Sequence, residues 1–260
     1  MDNKQFNTIR KDVKRYMNTL DLNEVREEFM NSDILISNAK LSKGDAINVG
    51  LELLPSVLGI FGNTCGAEGK CKLTCLVFSG RGNLMQKKRI VNGELSDTLK
   101  KRARRTFLYF NDRDFLESKM SIEIEANHSI AKLKGLDFGV RLNVFSDLDW
   151  SDFIAKHPQI QFYDYTKHFD RESTHNYDLT FSASEKTSKA QIVKVLTAGE
   201  KVAMVFRNKL PKTYFGFDVV DGDDTDNRYN DNGGIIIGLS MKTPIFGKTE
   251  TSFVYSLDEK

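Results

Sequence analysis

Short apolar runs alternate with short helical patterns through most of the chain, and this alternation constrains the fold more than any other feature. The runs have the length and composition of buried strands, and turn or helical segments separate them. Strands alternating with helices are typical of βα units, whose strands lie parallel in one sheet. The expected strands are residues 46–54, 138–145, 160–165, 177–182, 201–206, 217–220 and 234–239.

The number of these strands favours an α/β fold with a partial (β/α) barrel of mostly parallel strands over a doubly wound sheet. We assign residues 37–260 to the barrel-like domain and residues 1–36 to an N-terminal helical segment. Residues 3–31 carry the apolar spacing of two helices. Further helices are expected at 93–111, 112–134, 149–157 and 186–198.

Composition limits the environment of the protein. The chain has 260 residues and a net charge of +2, and no stretch approaches the roughly 20 apolar residues that a membrane span needs. The N-terminal residues lack the apolar core of a signal peptide. An odd number of cysteines, here three, argues against a disulfide framework. We therefore expect a cytoplasmic protein with no membrane partner, and the oligomeric state is left open.

All three cysteines, Cys65, Cys71 and Cys75, fall within eleven residues. Thiolates this close together are typical of a metal or cluster site, and Lys70 and Lys72 favour the thiolate form. The chain has no fourth cysteine, so a four-thiolate site within one molecule is excluded. A bound metal must recruit another type of ligand or keep one coordination position open for chemistry.

Three interpretations of the cysteine loop, residues 65–75, remain open. The first is a [4Fe–4S] cluster whose fourth iron binds S-adenosylmethionine, although five and then three residues separate the cysteines, whereas the common radical pattern has three and then two. The second is zinc completed by a histidine, for which His168 and His175 are preferred over His128 and His157 because they follow a strand end. The third is three reduced cysteines packed together by chance.

Polar side chains follow the carboxyl end of each expected strand. In barrel enzymes the active site lies at this edge. The candidates for catalysis are Asp147, Asp149, Asp164, Lys167 and Glu185, with Ser182 and Arg207 as substrate-binding residues. Asp147 or Glu185 would transfer protons, and Lys167 or Arg207 would bind an anionic group. The competing interpretation is that strand ends turn polar simply because they meet solvent.

Two charged segments have both a functional and a structural interpretation. Residues 100–105 form the most basic stretch, in which Arg104 and Arg105 share a helix face with Lys101 and would track phosphates. The competing interpretation is a solvated helix face. The acidic run 221–231 lacks the ligand pattern of a calcium loop, and we expect a solvated turn with Arg228 as an internal ion-pair partner.

Several segments together resemble a family of uncharacterised bacteriophage-encoded three-cysteine proteins. The segments are residues 37–41, the cysteine loop through residue 76, 141–150, 163–167, 177–182 and 219–223 with 238–239. The chain is also distantly similar to the barrels of radical S-adenosylmethionine enzymes, a likeness that rests mainly on Cys65, Cys71 and Cys75. The first resemblance implies a phage-type protein, and the second implies a cluster-dependent barrel enzyme.

The leading hypothesis is therefore a metal- or iron–sulfur-dependent enzyme that acts on nucleic acid or a nucleotide. One alternative is a zinc-containing barrel that exchanges or modifies a nucleobase, with an aspartate such as Asp147 as its nucleophile. The other is a non-enzymatic nucleic-acid-binding replication or host-takeover factor with a structural zinc.

Overall fold

The fold is described from a computed structural model for residues 3–38, 41, 46–56, 58–67, 69–71, 75, 95–207, 209–242 and 254–255. The helices are α1 (Asn3–Met17), α2 (Leu22–Met30), α3 (Asp97–Asn111), α4 (Arg113–Lys134), α5 (Ser151–Ala155) and α6 (Lys189–Thr197). The strands are β1 (Ala46–Gly50), β2 (Asp137–Arg141), β3 (Phe162–Thr166), β4 (Tyr177–Ser182), β5 (Lys201–Phe206), β6 (Thr213–Tyr214), β7 (Phe217–Asp221), β8 (Ile236–Ser240) and β9 (Val254–Tyr255). Within these ranges, no helix is long and apolar enough to cross a membrane.

The described strands form one sheet in the order β1-β2-β3-β4-β5-β8-β7-β6, with β9 beside β5. All pairs are parallel except the hairpin of β6 and β7. The mixed α/β class and the mostly parallel sheet are therefore confirmed. Each strand from β1 to β5 is added on the same side of the one before it, so the order does not reverse there as it does in a doubly wound sheet.

The expected strand bounds agree best at β4 and β5. β4 and β5 begin and end at the predicted residues, whereas β1 and β2 end at Gly50 and Arg141 rather than at residues 54 and 145. The apolar residues beyond Gly50 stay buried after the strand has ended. Beyond Arg141, the chain turns around the side chain of Asn143, whose amide oxygen accepts a hydrogen bond from Leu148 N at 2.9 Å.

The largest apolar cluster lies between the first strands and the helices that follow β1 along the chain. In it, Met120 and Ile124 of α4 pack with Phe138 and Val140 of β2, beside a fully buried Trp150. A separate cluster packs α6 against β5 and β8. Burial of apolar side chains is the main favourable term in folding, so these two clusters, in which helices pack against the sheet, are a large part of the core.

The N-terminal helices are part of this core. One face of α1 buries Ile9, Val13 and Met17 against Leu99 of α3 and Leu58 of the segment after β1. Asp21 caps α2 by accepting hydrogen bonds from Asn23 N and Glu24 N, and α2 contributes Val25 and Phe29 to the largest cluster.

The connection between β7 and β8 crosses to the far end of the strand order. Asp226 in this connection pairs with Arg141 of β2 at 3.1 Å, and the hydroxyl of Tyr229 donates to Asn48 Oδ1 of β1 at 3.1 Å. Arg228 is 1% exposed and forms an ion pair with Asp231 at 3.0 Å, which confirms the expected internal pair. The acidic run is thus fastened to the sheet through Asp226 and is only partly solvated.

Glu123 of α4 fastens the segment between α2 and β1. Its two carboxylate oxygens accept hydrogen bonds from Ile34 N at 2.9 Å and Leu35 N at 2.8 Å. Both backbone groups are buried, so no water replaces this acceptor.

We predict that Glu123→Gln lowers the free energy of unfolding by about 1–3 kcal/mol, because one buried backbone N–H then faces an amide NH₂ instead of an acceptor. Urea denaturation measures the difference. The matched control is Glu125→Gln on the same helix, where an exposed side chain is changed and the effect should stay within about 0.5 kcal/mol. Equal free energies of unfolding for the two variants would contradict the role of Glu123 as the acceptor for Ile34 N and Leu35 N.

Candidate functional site

The cysteine loop lies over the carboxyl edge of the parallel strands. Lys70 N donates a hydrogen bond to Glu185 Oε1, after β4, at 2.8 Å. Gly66 faces His168, after β3, so closely that a Cβ atom on Gly66 would lie 3.1 Å from His168 Nε2. The loop that follows β1 therefore reaches the loops after β3 and β4.

Backbone and hydroxyl groups anchor the start of this loop. The hydroxyl of Thr64 donates to Leu54 O at 2.7 Å, and Thr64 O accepts from Asp147 N at 2.7 Å. The thiol of Cys65 donates to Phe145 O at 3.4 Å. Cys65 is thereby placed beside the loop that follows β2.

Asp147 joins the loops after β2 and β3. Its side chain is buried, with Oδ2 accepting from Lys167 N at 2.8 Å and Oδ1 accepting from Arg171 Nη1 at 3.0 Å. Both carboxylate oxygens are thus engaged by groups of the protein. Asp147 therefore links the loops after β2 and β3 at the carboxyl edge of the sheet.

Asp164, near the end of β3, is 1% exposed. It accepts hydrogen bonds from Asn143 N at 2.8 Å and from the hydroxyl of Tyr177 at 3.1 Å. Burial raises the pKa of Asp164 to about 7, while the nearby Arg141 and these hydrogen bonds act in the opposite direction. The carboxyl group lies beneath the loop after β2 and supports it from below.

Asn143 carries that support into the loop. Its Nδ2 donates to Leu148 O at 3.1 Å, and its Oδ1 accepts from the hydroxyl of Ser146 at 2.8 Å. The loop after β2 is therefore held in one shape by a chain of side-chain hydrogen bonds that begins at Tyr177.

Lys167, Ser182 and Glu185 occupy the middle of the edge. The amine of Lys167 donates to the hydroxyl of Ser182 at 2.7 Å, which links the ends of β3 and β4. Burial pushes the pKa of Glu185 upward, but backbone hydrogen bonds and the nearby Lys186 and Lys70 outweigh it and leave the pKa below its usual value. Glu185 is thus an ionised carboxylate at neutral pH.

Two polar atoms along the cysteine loop are buried without a hydrogen-bond partner in the described part of the chain. They are His168 Nε2, which faces Gly66, and Glu185 Oε2, which lies beside Gly69. Each of these two buried atoms therefore has the capacity for a further hydrogen bond at the carboxyl edge.

The other predicted site residues have contacts of different kinds. Asp149 is exposed and accepts from the backbone N–H and hydroxyl of Ser151 at the start of α5, and these hydrogen bonds lower its pKa. Arg207 is exposed just after β5. Neither residue is brought against the cysteine loop by a contact in the described structure.

The two arginines predicted to track phosphates face the protein itself. Arg104 pairs with Glu28 of α2 at 3.0 Å. Arg105 is 3% exposed, donates to Asp33 O, and has a pKa lowered to about 10 by burial. Of the three residues predicted to share one helix face, Lys101 is the exposed one.

The donor set of the cysteine loop suits a soft metal, because thiolates and an imidazole are the ligands that zinc and iron–sulfur clusters prefer. Within the described residues, which omit 68 and 72–74, no three His, Cys, Asp or Glu side chains converge into a metal-holding group.

Sequence reasoning missed the residues that support the edge, namely Arg141, Asn143, Arg171 and Tyr177. A charged residue inside an apolar strand is a usable signal for Arg141, because a buried charge needs a partner. No comparable signal exists for Arg171, since its partner Asp147 lies 24 residues away and only the fold brings the two together.

The raised pKa of Asp164 predicts a pH dependence. The folded-state pKa of about 7 lies above the unfolded value of about 4, so the folded protein binds the proton more tightly. The stability this proton confers is complete below pH ~4 and is lost as the pH rises through about 7. Urea denaturation from pH 5 to pH 8 should show that the free energy of unfolding falls more steeply for the wild type than for Asp164→Asn. Parallel pH profiles for the two proteins would contradict the raised pKa of Asp164.

Comparison with known proteins places the chain in a family. The Gene product 88 family matches residues 28–255, which agrees with the expected phage-type protein and adds nothing to the more distant likeness to radical S-adenosylmethionine barrels. The chain matches no curated protein and no solved structure. Because the match covers most of the sequence, from α2 to β9, the protein belongs to the Gene product 88 family.

Proposed function

We propose that this protein is an enzyme that uses a metal or iron–sulfur cluster, held by Cys65, Cys71 and Cys75, to act on nucleic acid or a nucleotide. The carrying observation is the position of the cysteine loop over the carboxyl edge of the sheet, fixed by the hydrogen bond from Lys70 N to Glu185 at 2.8 Å. This edge is where parallel α/β folds build their active sites.

A curled sheet, that is, a partial (β/α) barrel, is part of this proposal. A sequential strand order with crossovers of one hand carries its helices on one face, as in a barrel. The connection after β7 also contacts the opposite end of the strand order, where Asn230 donates to Asp137 Oδ2 at 3.2 Å and Tyr229 donates to Asn48. A sheet that curls brings these two ends near each other.

The chemistry of the donors supports the metal. Three thiols lie on one loop, and the unpartnered His168 Nε2 faces the same loop. A [4Fe–4S] cluster held by three thiolates would leave one iron able to bind S-adenosylmethionine and supply radical chemistry. Zinc completed by His168 would instead supply a Lewis acid.

The remaining edge residues take roles that follow from their contacts. Lys167 points its amine at the Ser182 hydroxyl, where the two would bind an anionic or hydroxyl group of the substrate. Glu185 uses Oε1 to hold the cysteine loop and keeps Oε2 for a proton. Asp147 positions the loops on either side.

Membership of a phage gene-product family and the cations at the edge favour a phosphate-bearing substrate. The non-enzymatic alternative, a nucleic-acid-binding factor with a structural zinc, gains support from the engagement of both Asp147 oxygens. The zinc-dependent nucleobase-modifying alternative gains support from His168. Metal identity separates the cluster from the two zinc proposals.

Metal and sulfide analysis of protein purified without oxygen tests the cofactor. We predict about four iron and four sulfide per chain in the wild type. Alanine variants of Cys65, Cys71 and Cys75 should each lose most of both. His168→Ala should keep the cluster, with exposed His175→Ala as its control. Zinc that is lost in His168→Ala would select the zinc site, and metal-free wild-type protein would reject both.

Glu185→Gln tests the role of the edge carboxylate. The amide oxygen still accepts from Lys70 N, so the loop stays in place while the second oxygen is replaced by an NH₂ group. We predict unchanged metal content and turnover reduced by about 10²–10⁴-fold, measured as cleavage of S-adenosylmethionine in the presence of nucleic acid and a reductant. Exposed Glu172→Gln, between β3 and β4, is the control, and full activity of Glu185→Gln would contradict the assigned role.

A further inference from the structure

We infer that a cationic groove on α1 binds the phosphodiester backbone of nucleic acid. The groove, here called the α1 groove, has a volume of about 470 Å³ and lies between α1 and the segment after β1. It is lined by Asn7, Arg10, Lys11, Lys14, Gly59 and Ile60.

Helical spacing brings the cations of the α1 groove together. Residues 7, 10, 11 and 14 are three or four positions apart and therefore share one face of α1. Another face of the same helix buries Ile9, Val13 and Met17 in the core. The burial of that apolar face fixes the rotation of α1 and so fixes the direction of the three cations.

No acidic side chain in the described part of the chain compensates the cations of the groove. Among the described residues, no carboxylate lies within ion-pair distance of Arg10, Lys11 or Lys14, whereas the nearby Arg15 pairs with Asp12 at 3.3 Å. The side chains of Arg10, Lys11 and Lys14 are all exposed along the same rim. Three cations around one concavity attract a polyanion even though the net charge of the chain is only +2.

The arginines of α3 show the contrast. Arg102 pairs with Glu52 at 2.7 Å and Arg104 with Glu28 at 3.0 Å, and both pairs are at least partly buried. Their charges are compensated by the protein itself. Of these two basic helices, α1 carries the cations better placed to meet phosphates, although the sequence pattern pointed to α3.

A nucleic acid fits the groove better than a membrane surface does. A helix that binds membranes inserts its apolar face into the lipid, and the apolar face of α1 is already buried against Leu58 and Leu99. The exposed face of α1 is polar and forms one wall of the groove, and such a concave, cationic surface suits a nucleic-acid strand. Phosphate contacts of this kind need no base recognition, so we expect binding without sequence preference.

The inference goes beyond the proposed function, because the groove lies outside the carboxyl edge and needs no metal. The two regions are nevertheless close along the chain. Ile60 lines the groove, and Thr64, four residues later, bonds to Asp147 at the edge. Four residues span at most about 14 Å, so a strand in the groove would pass near the cysteine loop.

Fluorescence anisotropy with a labelled 20-nucleotide single strand tests the inference, using the full chain over 50–200 mM salt. We expect the triple variant Arg10→Gln, Lys11→Gln, Lys14→Gln to bind about 100-fold more weakly near 0.1 M salt. Its slope of log K against log salt should fall by about 2, since three phosphate contacts are lost. A second variant, Asn7→Glu, places a negative charge in the groove and should also weaken binding.

The control is Lys132→Gln, Lys134→Gln, Lys212→Gln, which removes the same charge from exposed positions at the end of α4 and just before β6. Binding that is equally weak in both triple variants, or unchanged in the α1 variant, overturns the inference. So does wild-type binding to vesicles containing phosphatidylserine without binding to the single strand. Cys65→Ala separates the proposals: it should lose metal and keep strand binding, whereas the α1 variant should keep metal and lose binding.

Discussion

Asp147 is the residue on which the candidate site depends. Its backbone N–H holds Thr64 O at the start of the cysteine loop, and its carboxylate holds Lys167 N and Arg171. Three loops that follow three different strands thus meet at one residue. Hydrogen bonds to a charged group contribute more than neutral ones, about 1.5–3 kcal/mol each. The start of the cysteine loop is therefore held by the backbone N–H of Asp147, while its carboxylate, which the sequence pattern had suggested as a nucleophile or proton carrier, holds the loop after β3.

The basic stretch of α3 shows how a charge count misleads. The sequence has its most basic stretch at residues 100–105, where Lys101, Arg104 and Arg105 were expected to share one cationic face. In the fold, Arg102 meets Glu52, Arg104 meets Glu28, and Arg105 is buried beneath α2, with its guanidinium 5.7 Å from the ring of Phe29. Arginine suits such sites because its planar group pairs with carboxylates and stacks on rings at once. The three groove cations of α1 have no such partners among the described residues, and only long-range contacts distinguish the two helices.

The secondary structure followed from local pattern, and the site did not. β4, β5 and the N-terminal helices have short-range signals, such as apolar spacing and the cap at Asp21, that survive in any tertiary context. The ends of β1 and β2 were overestimated because the apolar residues that follow them are buried in loops, which pattern alone predicts as strand. Asp164 was expected inside the end of a strand and lies within β3, but its burial and its bond to Tyr177 depend on how β3 and β4 pair. The contacts of the cysteine loop are likewise made between residues far apart in sequence, such as Lys70 and Glu185.

The segment from Pro55 to Thr64 connects the proposed α1 groove with the candidate site at the carboxyl edge. At one end Leu58 packs under α1 and Ile60 lines the α1 groove, and at the other end Thr64 bonds to Leu54 O and Asp147 N. A strand held in the groove would contact the same segment that positions Cys65. Coupling between two sites is reciprocal: if a metal at the cysteines changed the affinity of the groove for a strand, the strand would change the affinity for the metal by the same factor. The proposed α1 groove and the candidate reactive loop thus lie on one continuous segment, which is anchored at Thr64 by Leu54 O and the backbone N–H of Asp147.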